Sequence, residues 1–471
     1  MDWFEELTGF AEQSPEQVRA NLSLFSGRLC SVVNKRCWHV GRLTLPSLAQ
    51  LRTIKPHTKG KLKVRELVAD VQHLHTQAEN ADALFQVASQ FNVLEMVSPN
   101  VAPEEGVGIY QQDRTQGPAC AIAAGAATIY RNYFVELDGQ LGQSTARQIN
   151  CIAELGEALG NQNERLWQMK NGYVIASRQG LTEIAEYLQN ASVAEKQQLK
   201  GQLRIGLHLN TEVTLKKSQH CVSQALCSAL PIAYSQYPSA LWADFAKLIL
   251  EAAYEATLAA AVYNANHYGS NKVFLTLLGG GAFGNPQEWI LSAIRQALLA
   301  YKEVDLDVVI VSYYQSNPQV KVLADEVMAL IYPAEPVKVV APAAQPEPLS
   351  VERRRALLQD IIEKESFIQE LERQYSSELY MCPICEEKLD AKYDIFAADS
   401  KRNLRDRLSF FQQYKKQDDP RVALPVCSVC IDKLALVNGS HGHECNARFT
   451  YQGKEVFYRG RFGGYLYVGF V

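Results

Sequence analysis

The sequence contains no long apolar run and no strong excess of either charge. No stretch approaches the ~18 consecutive apolar residues typical of a membrane-spanning helix. The first residues, MDWFEELTGF, have no basic segment ahead of an apolar one, so we expect no secretory signal. The formal net charge of the 471 residues is −4, which gives no reason to expect bulk attraction to nucleic acid or to an acidic membrane.

Cysteine is unevenly spread along the chain. Six of the eleven cysteines are scattered through mixed sequence, and the other five lie within the last ninety residues. In so long a chain this usage predicts reduced thiols plus a metal site, and therefore a reducing compartment and a cytoplasmic protein. The scattered cysteines are Cys30, Cys37, Cys120, Cys151, Cys221 and Cys227.

A segment rich in proline and alanine divides the chain. Residues 331–350, IYPAEPVKVVAPAAQPEPLS, contain five prolines and predict a semi-stiff linker. Before it we expect an N-terminal extension (1–60) and an α/β domain (61–330). After it we expect an amphipathic helix (351–380) and a small module (381–471).

Apolar strand segments alternate with helical segments in the predicted α/β domain. ALFQVASQFN, QLRIGLHLNTEVT, VFLTLL and LDVVIVSYY have the character of buried strands, and helical sequences lie between most of them. Such alternation predicts an α/β fold with a mainly parallel sheet. Ligands of these sheets bind beside the carboxyl ends of the strands.

The stretch VFLTLLGGGAFGNPQEW, residues 273–289, places four glycines between a strand and a helix. Glycine lets backbone N–H groups approach an anion closely, and the following helix adds its N-terminal dipole. The motif has neither the Walker A nor the GxGxxG spacing. A tight turn without a ligand and a phosphate or pyrophosphate site are both compatible with it.

The alanine-rich helix, the buried strand and this loop together resemble the macrodomain family of ADP-ribose binders and hydrolases. The resemblance implies a three-layer α/β/α fold with a mixed, mainly parallel sheet. It also implies that the amides of 280–284 contact the pyrophosphate and that Phe283 lies against the distal ribose. The loop residues expected to bind ADP-ribose are Gly279, Gly280, Gly281, Ala282, Phe283, Gly284 and Asn285.

Other segments resemble the remaining parts of a macrodomain site. They are DALFQVASQFNVLEM with Gln90 and Asn92, TQGPACAIAAG with Gln116 and Gly117, RIGLHLNTEVT with His208, and SYYQSNP with Tyr313. The family's Asn-Ala-Ala-Asn pattern is absent, and residues 97–114, 131–200 and 227–235 have the character of insertions. These departures leave the catalytic residues and the substrate open.

Hydrolysis of an ADP-ribosyl bond needs a positioned water and a group that accepts its proton. Asp113, just before a predicted helix, is the first candidate, and helix capping or stabilisation of the loop is the alternative. Asn92 and Gln116 could hold a ribose hydroxyl or a water, or could satisfy the loop backbone. Glu95 is a further candidate.

Alternate residues of a strand share a face, so the sequence HLNTEVT predicts a row of polar side chains on one face. This row contains His208, Asn210, Glu212 and Thr214. A polar face on a buried strand indicates a cleft, which makes Glu212 a catalytic candidate. An exposed strand end is the alternative.

Two CxxC pairs separated by 41 residues predict a structural Zn²⁺ site in the last module. Four thiolates leave no open catalytic position, so we expect a structural or partner-docking role. His441, His443 and Cys445 are spare ligands, and the tail from Arg448 predicts short strands. The predicted ligands are Cys382, Cys385, Cys427 and Cys430.

The sequence as a whole predicts a protein that recognises ADP-ribose on another protein and removes it hydrolytically. The acceptor side chain is left open, with arginine as one option. Two alternatives remain: a non-enzymatic ADP-ribose reader, and a nucleotide- or RNA-associated zinc protein.

Overall fold

The computed structural model describes residues 2–216 and 218–333, together with the backbone of three strands near the C-terminus. Residues 1–336 form one compact unit and residues 337–471 form another. The predicted linker beyond residue 333, the predicted helix 351–380 and all predicted zinc ligands lie outside the described residues. Within the described parts of the chain, no helix is long and apolar enough to cross a membrane.

The first unit contains fourteen strands and twelve α-helices among the described residues. The strands are β1 (Leu22–Phe25), β2 (Arg28–Ser31), β3 (Cys37–His39), β4 (Arg42–Thr44), β5 (Lys63–Val68), β6 (Leu84–Ala88), β7 (Glu136–Leu137), β8 (Gln140–Leu141), β9 (Trp167–Lys170), β10 (Tyr173–Ala176), β11 (Gly206–Glu212), β12 (Cys221–Cys227), β13 (Lys272–Leu275) and β14 (Asp307–Ser312). The helices are α1 (Trp3–Thr8), α2 (Pro15–Asn21), α3 (Leu48–Leu51), α4 (Val71–Thr76), α5 (Gln116–Ala123), α6 (Gly125–Tyr133), α7 (Ala153–Leu159), α8 (Arg178–Asn190), α9 (Val193–Gln202), α10 (Ser239–Tyr268), α11 (Gln287–Ala300) and α12 (Pro318–Ile331).

A seven-stranded mixed sheet forms the centre of the first unit. Its spatial order is β4-β11-β12-β6-β13-β14-β5. The strands from β12 to β5 are parallel to one another, whereas β11 pairs antiparallel with both β4 and β12. This topology confirms the predicted α/β class with a mixed, mainly parallel sheet.

Strand β6 shows that helices cover both faces of the sheet. On one face, the Gln86 side chain donates a hydrogen bond of 2.9 Å to Thr257 of α10. On the other face, the ring of Phe85 stacks on His75 of α4 at a centroid distance of 3.8 Å. Because successive strand residues point to opposite faces, α10 and α4 lie in different layers. The unit therefore has the predicted three-layer arrangement.

The N-terminal residues belong to this architecture. Strand β4 pairs with β11 at one edge of the sheet. Helix α1 buries Trp3, Phe4 and Leu7 in a second apolar core, which also contains Leu94 and Tyr110. Residues 1–60, predicted as an extension, thus pack against the segment that follows β6.

Cys30 and Cys37 form a disulfide between the neighbouring strands β2 and β3. The prediction of reduced thiols is therefore wrong for this pair. The two cysteines are direct partners across an antiparallel ladder, where side chains on the same face come close together. Sequence spacing alone did not reveal this pairing. The remaining described cysteines are free, and Cys120, Cys151 and Cys227 are buried.

The described residues of the second unit form an antiparallel three-stranded sheet. Its strands are β15 (Arg448–Tyr451), β16 (Lys454–Phe462) and β17 (Tyr465–Phe470), in that spatial order. The prediction of short strands in the tail is confirmed.

Burial of His75 makes the stability of the fold depend on pH. Desolvation lowers the pKa of His75 to about 4, while its Nδ1 lies 2.8 Å from the Val71 carbonyl oxygen. The unfolded chain binds a proton near pH 6.5, so stability is complete above that value and falls as the pH drops towards 4. From pH 7.5 to pH 5 this residue alone should remove about 2 kcal/mol.

We therefore predict that His75→Leu reduces the loss of unfolding free energy between pH 7.5 and pH 5 by about 2 kcal/mol. Urea unfolding at the two pH values measures this difference. Exposed His73, two residues earlier, provides the control. Between pH 7.5 and pH 5, His73→Gln should lose as much unfolding free energy as the wild type. Equal pH dependence in His75→Leu and in the wild type would contradict the prediction.

Candidate functional site

A cleft of about 710 Å³ lies at the carboxyl ends of the parallel strands. Its lining includes Ala88 at the end of β6, Thr276 after β13 and Val311 near the end of β14. Residues of α4, of α5 and of the glycine-rich loop after β13 also line it. The volume lies within the range of small-molecule sites.

Two of the four glycines in this loop are required by the fold. Gly279 and Gly284 have φ angles of 73° and 70°, which disfavour any residue with a Cβ. A Cβ on Gly279 would lie 2.4 Å from the Ala229 Cβ, and one on Gly284 would lie 2.9 Å from the Ala233 Cβ. These two glycines form a tight turn, whether or not a ligand is bound.

Gly281 has a different environment. Its φ angle is not positive, and a Cβ built on it would meet nothing within 4 Å. The fold therefore does not require a glycine at this position, which lines the cleft. Internal packing thus does not explain the absence of a side chain here, and the backbone is open to the cleft.

Three consecutive N–H groups at the tip of the loop are available to a ligand. Within the described residues, the amides of Gly281, Ala282 and Phe283 donate no hydrogen bond, although all three residues line the cleft. The amide of Gly280 donates to Leu277 and that of Gly284 to Gly281, both at 3.0 Å. Of the five residues expected to contact an anion, 280–284, three therefore have an N–H group without a partner among the described residues.

Side chains behind the loop hold its two ends. Tyr254 of α10 donates to the Thr276 carbonyl at 2.7 Å and accepts from the Leu278 N–H at 2.8 Å. The Asn285 side chain donates to the Leu230 carbonyl at 2.9 Å and is buried. Asn285, predicted to bind ADP-ribose, therefore shapes the loop from behind and does not line the cleft.

Three aromatic rings form one end of the cleft. Phe283 lies 5.4 Å from Tyr173 and 5.7 Å from Tyr234, measured between ring centroids. Tyr173 donates to the Met96 carbonyl at 2.6 Å, which fixes its ring. Tyr173 and Tyr234 come from segments interpreted as insertions, so the sequence analysis did not predict them.

Tyr313 and Tyr314 line another part of the cleft, just after β14. Their rings lie 3.8 Å apart, and both side chains are exposed. Tyr314 has a φ angle of 62°, a conformation that is rare for a bulky residue. Tyr313, predicted as a site residue, thus lines the cleft, and its role in binding stays a prediction. Tyr314 was not predicted.

Asp113 lines the cleft and is half-buried. Its Oδ1 accepts a hydrogen bond of 2.8 Å from the Thr115 N–H, next to the start of α5. The second carboxylate oxygen has no protein partner among the described residues. The exposed charges on the cleft are Asp70, which caps α4, and Arg114. Asp113 thus lines the cleft, and its catalytic role stays a prediction.

The loop after β6 is held by its own amide side chains. Gln90 accepts from the Met96 N–H at 2.9 Å and donates to the Met96 carbonyl at 3.1 Å. Asn92 is fully buried and bonds to Gln148 and to the Leu94 N–H. Gln90 lines the cleft, but Asn92 does not. The placement of Asn92 as a catalytic residue is therefore corrected: it braces the loop.

Gln116 and Gly117 join α5 to the end of β6. The Gln116 side chain accepts from the Ala88 N–H at 2.9 Å and donates to the Gln86 carbonyl at 2.8 Å. A Cβ on Gly117 would lie 1.8 Å from the Ala88 carbonyl oxygen. Gln116 lines the cleft with its polar groups already paired, and Gly117 serves close packing instead of ligand contact.

A buried ion pair adjoins the cleft through Glu95, which is one of its lining residues. Arg131 of α6 donates to both carboxylate oxygens of Glu95, at 3.2 and 3.3 Å, and neither side chain has exposed surface. Arg131 also donates to the Val93 carbonyl at 2.9 Å, and Val93 has a φ angle of 59°. Burial raises the pKa of Glu95, and the Arg131 charge opposes that shift.

His208 and Glu212 lie away from the cleft, which corrects their predicted positions. The pairing of β11 with β12 shifts register between His208 and Thr211, and Asn210 has a φ angle of 52°. This irregularity breaks the alternation from which a single polar face was predicted. His208 is fully buried, with a pKa lowered by burial to about 3, and Glu212 accepts from the His39 N–H at 2.7 Å.

The described residues offer no group of three or more His, Cys, Asp or Glu side chains that could hold a metal ion. Cys382, Cys385, Cys427 and Cys430 lie outside those residues. The Zn²⁺ site thus stays a prediction from the sequence.

Fold and cleft together define an α/β protein with a ligand cleft at the carboxyl ends of its parallel strands. No protein-family model matches the chain, and no curated protein matches it either.

Among solved structures, the chain has a distant similarity to bacterial poly(ADP-ribose) glycohydrolases. The enzyme from Thermomonospora curvata gives a TM-score of 0.34 at 12% sequence identity, covering 67% of this chain and 97% of that one. The enzyme from Deinococcus radiodurans, solved in complex with ADP-ribose, gives 0.33 at 12% identity, covering 62% and 94%.

We predict that breaking the buried ion pair costs far more than breaking an exposed one. Arg131→Met leaves the Glu95 carboxylate buried without its partner and should lower the unfolding free energy by about 3–5 kcal/mol. Arg165→Met, which removes an exposed pair with Glu183, should cost about 1 kcal/mol or less. Denaturant unfolding at neutral pH measures both values. Similar losses in the two variants would contradict the prediction.

Proposed function

We propose that the cleft binds ADP-ribose carried by a protein side chain and that the protein hydrolyses the glycosidic bond between them. The observation that carries this proposal is the combination of three unpaired amides, aromatic rings and one open carboxylate in a single cleft. An anion, two ribose rings and an adenine base need these kinds of group. The macrodomain-like sequence of the loop supports the same ligand.

The tip of the glycine loop would hold the pyrophosphate. The N–H groups of Gly281, Ala282 and Phe283 are consecutive and unpaired beside the cleft, and successive backbone amides of this kind can bind phosphate oxygens. They supply partial positive charge without a cation, in a cleft whose charged side chains include exposed Asp70 and Arg114 and half-buried Asp113.

The aromatic side chains would accommodate the two ends of the ligand. A purine ring and a sugar both present apolar faces that pack on aromatic rings. Tyr313 and Tyr314 are exposed and available to a base, whereas Phe283 is packed against Tyr173 and adjoins the amides. We assign the adenine to the former pair and the distal ribose to Phe283.

Asp113 would act as the general base. Its free carboxylate oxygen takes a proton from a water as that water attacks C1 of the distal ribose. The bond from C1 to the acceptor atom breaks as the new C1–O bond forms, and the leaving side chain receives the proton that Asp113 took from the water. The negative carboxylate also stabilises the oxocarbenium-like transition state.

The charges around the cleft favour arginine as the acceptor. Asp70 and Asp113 are carboxylates on the same cleft, the first exposed and the second half-buried, and a guanidinium is the side chain that they would attract most strongly.

We expect Asp113→Asn to lower the turnover number by about 10²–10⁴-fold, because the amide retains the acceptor for Thr115 but cannot take a proton. Release of ADP-ribose from arginine-, glutamate- and serine-linked substrates measures turnover, and calorimetry measures ADP-ribose affinity. Affinity should change little. Asp325→Asn, on the exposed surface of α12, is the matched control.

Three outcomes would count against the proposal. A wild-type protein that binds ADP-ribose but releases none from any substrate is a reader. A protein that binds ADP or RNA in preference to ADP-ribose belongs to another class. Failure of the full chain to bind ADP-ribose refutes the proposal completely.

Gly281 and Gly279 distinguish ligand contact from loop architecture. Gly281→Ala should weaken ADP-ribose binding about tenfold or more, equivalent to ~1.4 kcal/mol, and leave the melting temperature unchanged. Gly279→Ala should lower the melting temperature, because its backbone angle and neighbours exclude a Cβ. Calorimetry and thermal unfolding test the pair. Wild-type affinity in Gly281→Ala would show that the loop tip does not contact the ligand.

A further inference from the structure

The segment that carries Asp113 is fastened by a carboxylate from the start of the chain. Glu12 accepts hydrogen bonds from the N–H groups of Val107 at 3.0 Å and Gly108 at 2.6 Å. The hydroxyl of Tyr133, in α6, donates to the same carboxylate at 2.7 Å. Three donors from two parts of the fold thus converge on Glu12. Burial raises the pKa of Glu12, while these donors and their hydrogen bonds oppose that rise.

Glycines on both sides of Val107 leave room for this carboxylate. A Cβ on Gly106 would lie 2.5 Å from Glu12 Oε2, and one on Gly108 would lie 2.9 Å from the same atom. Gly106 also has a φ angle of 87°. The sequence EEGVG is therefore built to enclose a charged oxygen from elsewhere in the chain.

Further contacts tie the same segment to the body of the unit. The backbone N–H of Trp3 donates to Gln111 Oε1 at 2.7 Å, and its indole N–H donates to the Val107 carbonyl at 3.0 Å. Tyr110 is fully buried, and its hydroxyl accepts from the Glu95 N–H at 3.0 Å.

Asp113 follows directly from this anchored segment. Residues 108–112 form a short 3-10 helix, and the Asp113 N–H donates to the Tyr110 carbonyl at 3.1 Å. The position of the Asp113 carboxylate therefore depends on where Glu12 holds the backbone of Val107 and Gly108. A displacement of about 1 Å at a reacting group can cost ~10²-fold in rate.

We propose that Glu12 is a positioning residue for hydrolysis. It acts through the backbone of Val107 and Gly108 to keep Asp113 in the lining of the cleft, and it does not contact the substrate. This inference rests on the proposed function, since it assigns Glu12 a role in the reaction of that same cleft.

The decisive variant is Glu12→Gln, tested in the full chain. A glutamine keeps the shape of the side chain and one acceptor oxygen, but its NH₂ group takes the place of the other oxygen and cannot accept from the donor that faces it. We expect kcat to fall about tenfold or more, while the Kd for ADP-ribose stays within about twofold because the loop amides are untouched. Hydrogen exchange of residues 106–113 should become faster.

Two further variants separate positioning from general damage to the fold. In Gly106→Ala the added Cβ would press on the Glu12 carboxylate. This variant should therefore reproduce the loss of kcat with an unchanged Kd. Glu16→Gln, on the exposed surface of α2 four residues later, should behave as the wild type in all measurements. A merely structural role for Glu12 predicts a lower melting temperature with normal kcat and Kd for the folded fraction.

An active wild type together with an unchanged kcat in Glu12→Gln would overturn this inference and leave the proposed function standing. A parallel loss of kcat and ADP-ribose affinity would also overturn it, since Glu12 would then support binding and not the placement of Asp113. A wild type that releases no ADP-ribose would refute the hydrolase itself, which is a separate result.

Discussion

Parallel pairing from β12 to β5 is the constraint on which the cleft depends. Because these strands run in the same direction, their carboxyl ends meet at one edge of the sheet, and the chain must leave each strand at that edge. Segments far apart in the sequence, such as the loop after β6 and the glycine loop after β13, become neighbours for this reason. The antiparallel strands β4 and β11 extend the sheet beyond this group without supplying a lining residue.

The cleft combines an exposed chemical surface with a heavily supported interior. The groups open to the cleft are backbone amides, aromatic rings and a carboxylate. The amide side chains near it instead form hydrogen bonds with the protein backbone; they are Gln90, Asn92, Gln116 and Asn285. Polar side chains next to a site therefore need not contact the ligand. In this protein most of them replace backbone partners that irregular loops lack.

The sequence was sufficient to predict the class of fold and the glycine loop, because both depend on local patterns: alternation of buried strands with helices, and a glycine run between Leu278 and Pro286. It was not sufficient for features that depend on distant segments. Tyr173 and Tyr234 reach the cleft from insertions, and the Cys30–Cys37 bond depends on strand pairing. The polar face expected from His208 failed because one irregular residue, Asn210, interrupts the alternation.

Tyr254 gives the glycine loop a property that its composition alone does not suggest. Its hydroxyl bridges the Thr276 carbonyl and the Leu278 amide from a fully buried position. The loop is therefore rich in glycine but held at its root by a buried side chain. For the anion binding proposed above, the consequence is that part of the conformational entropy usually lost when a glycine-rich segment closes on a ligand was already lost when the protein folded.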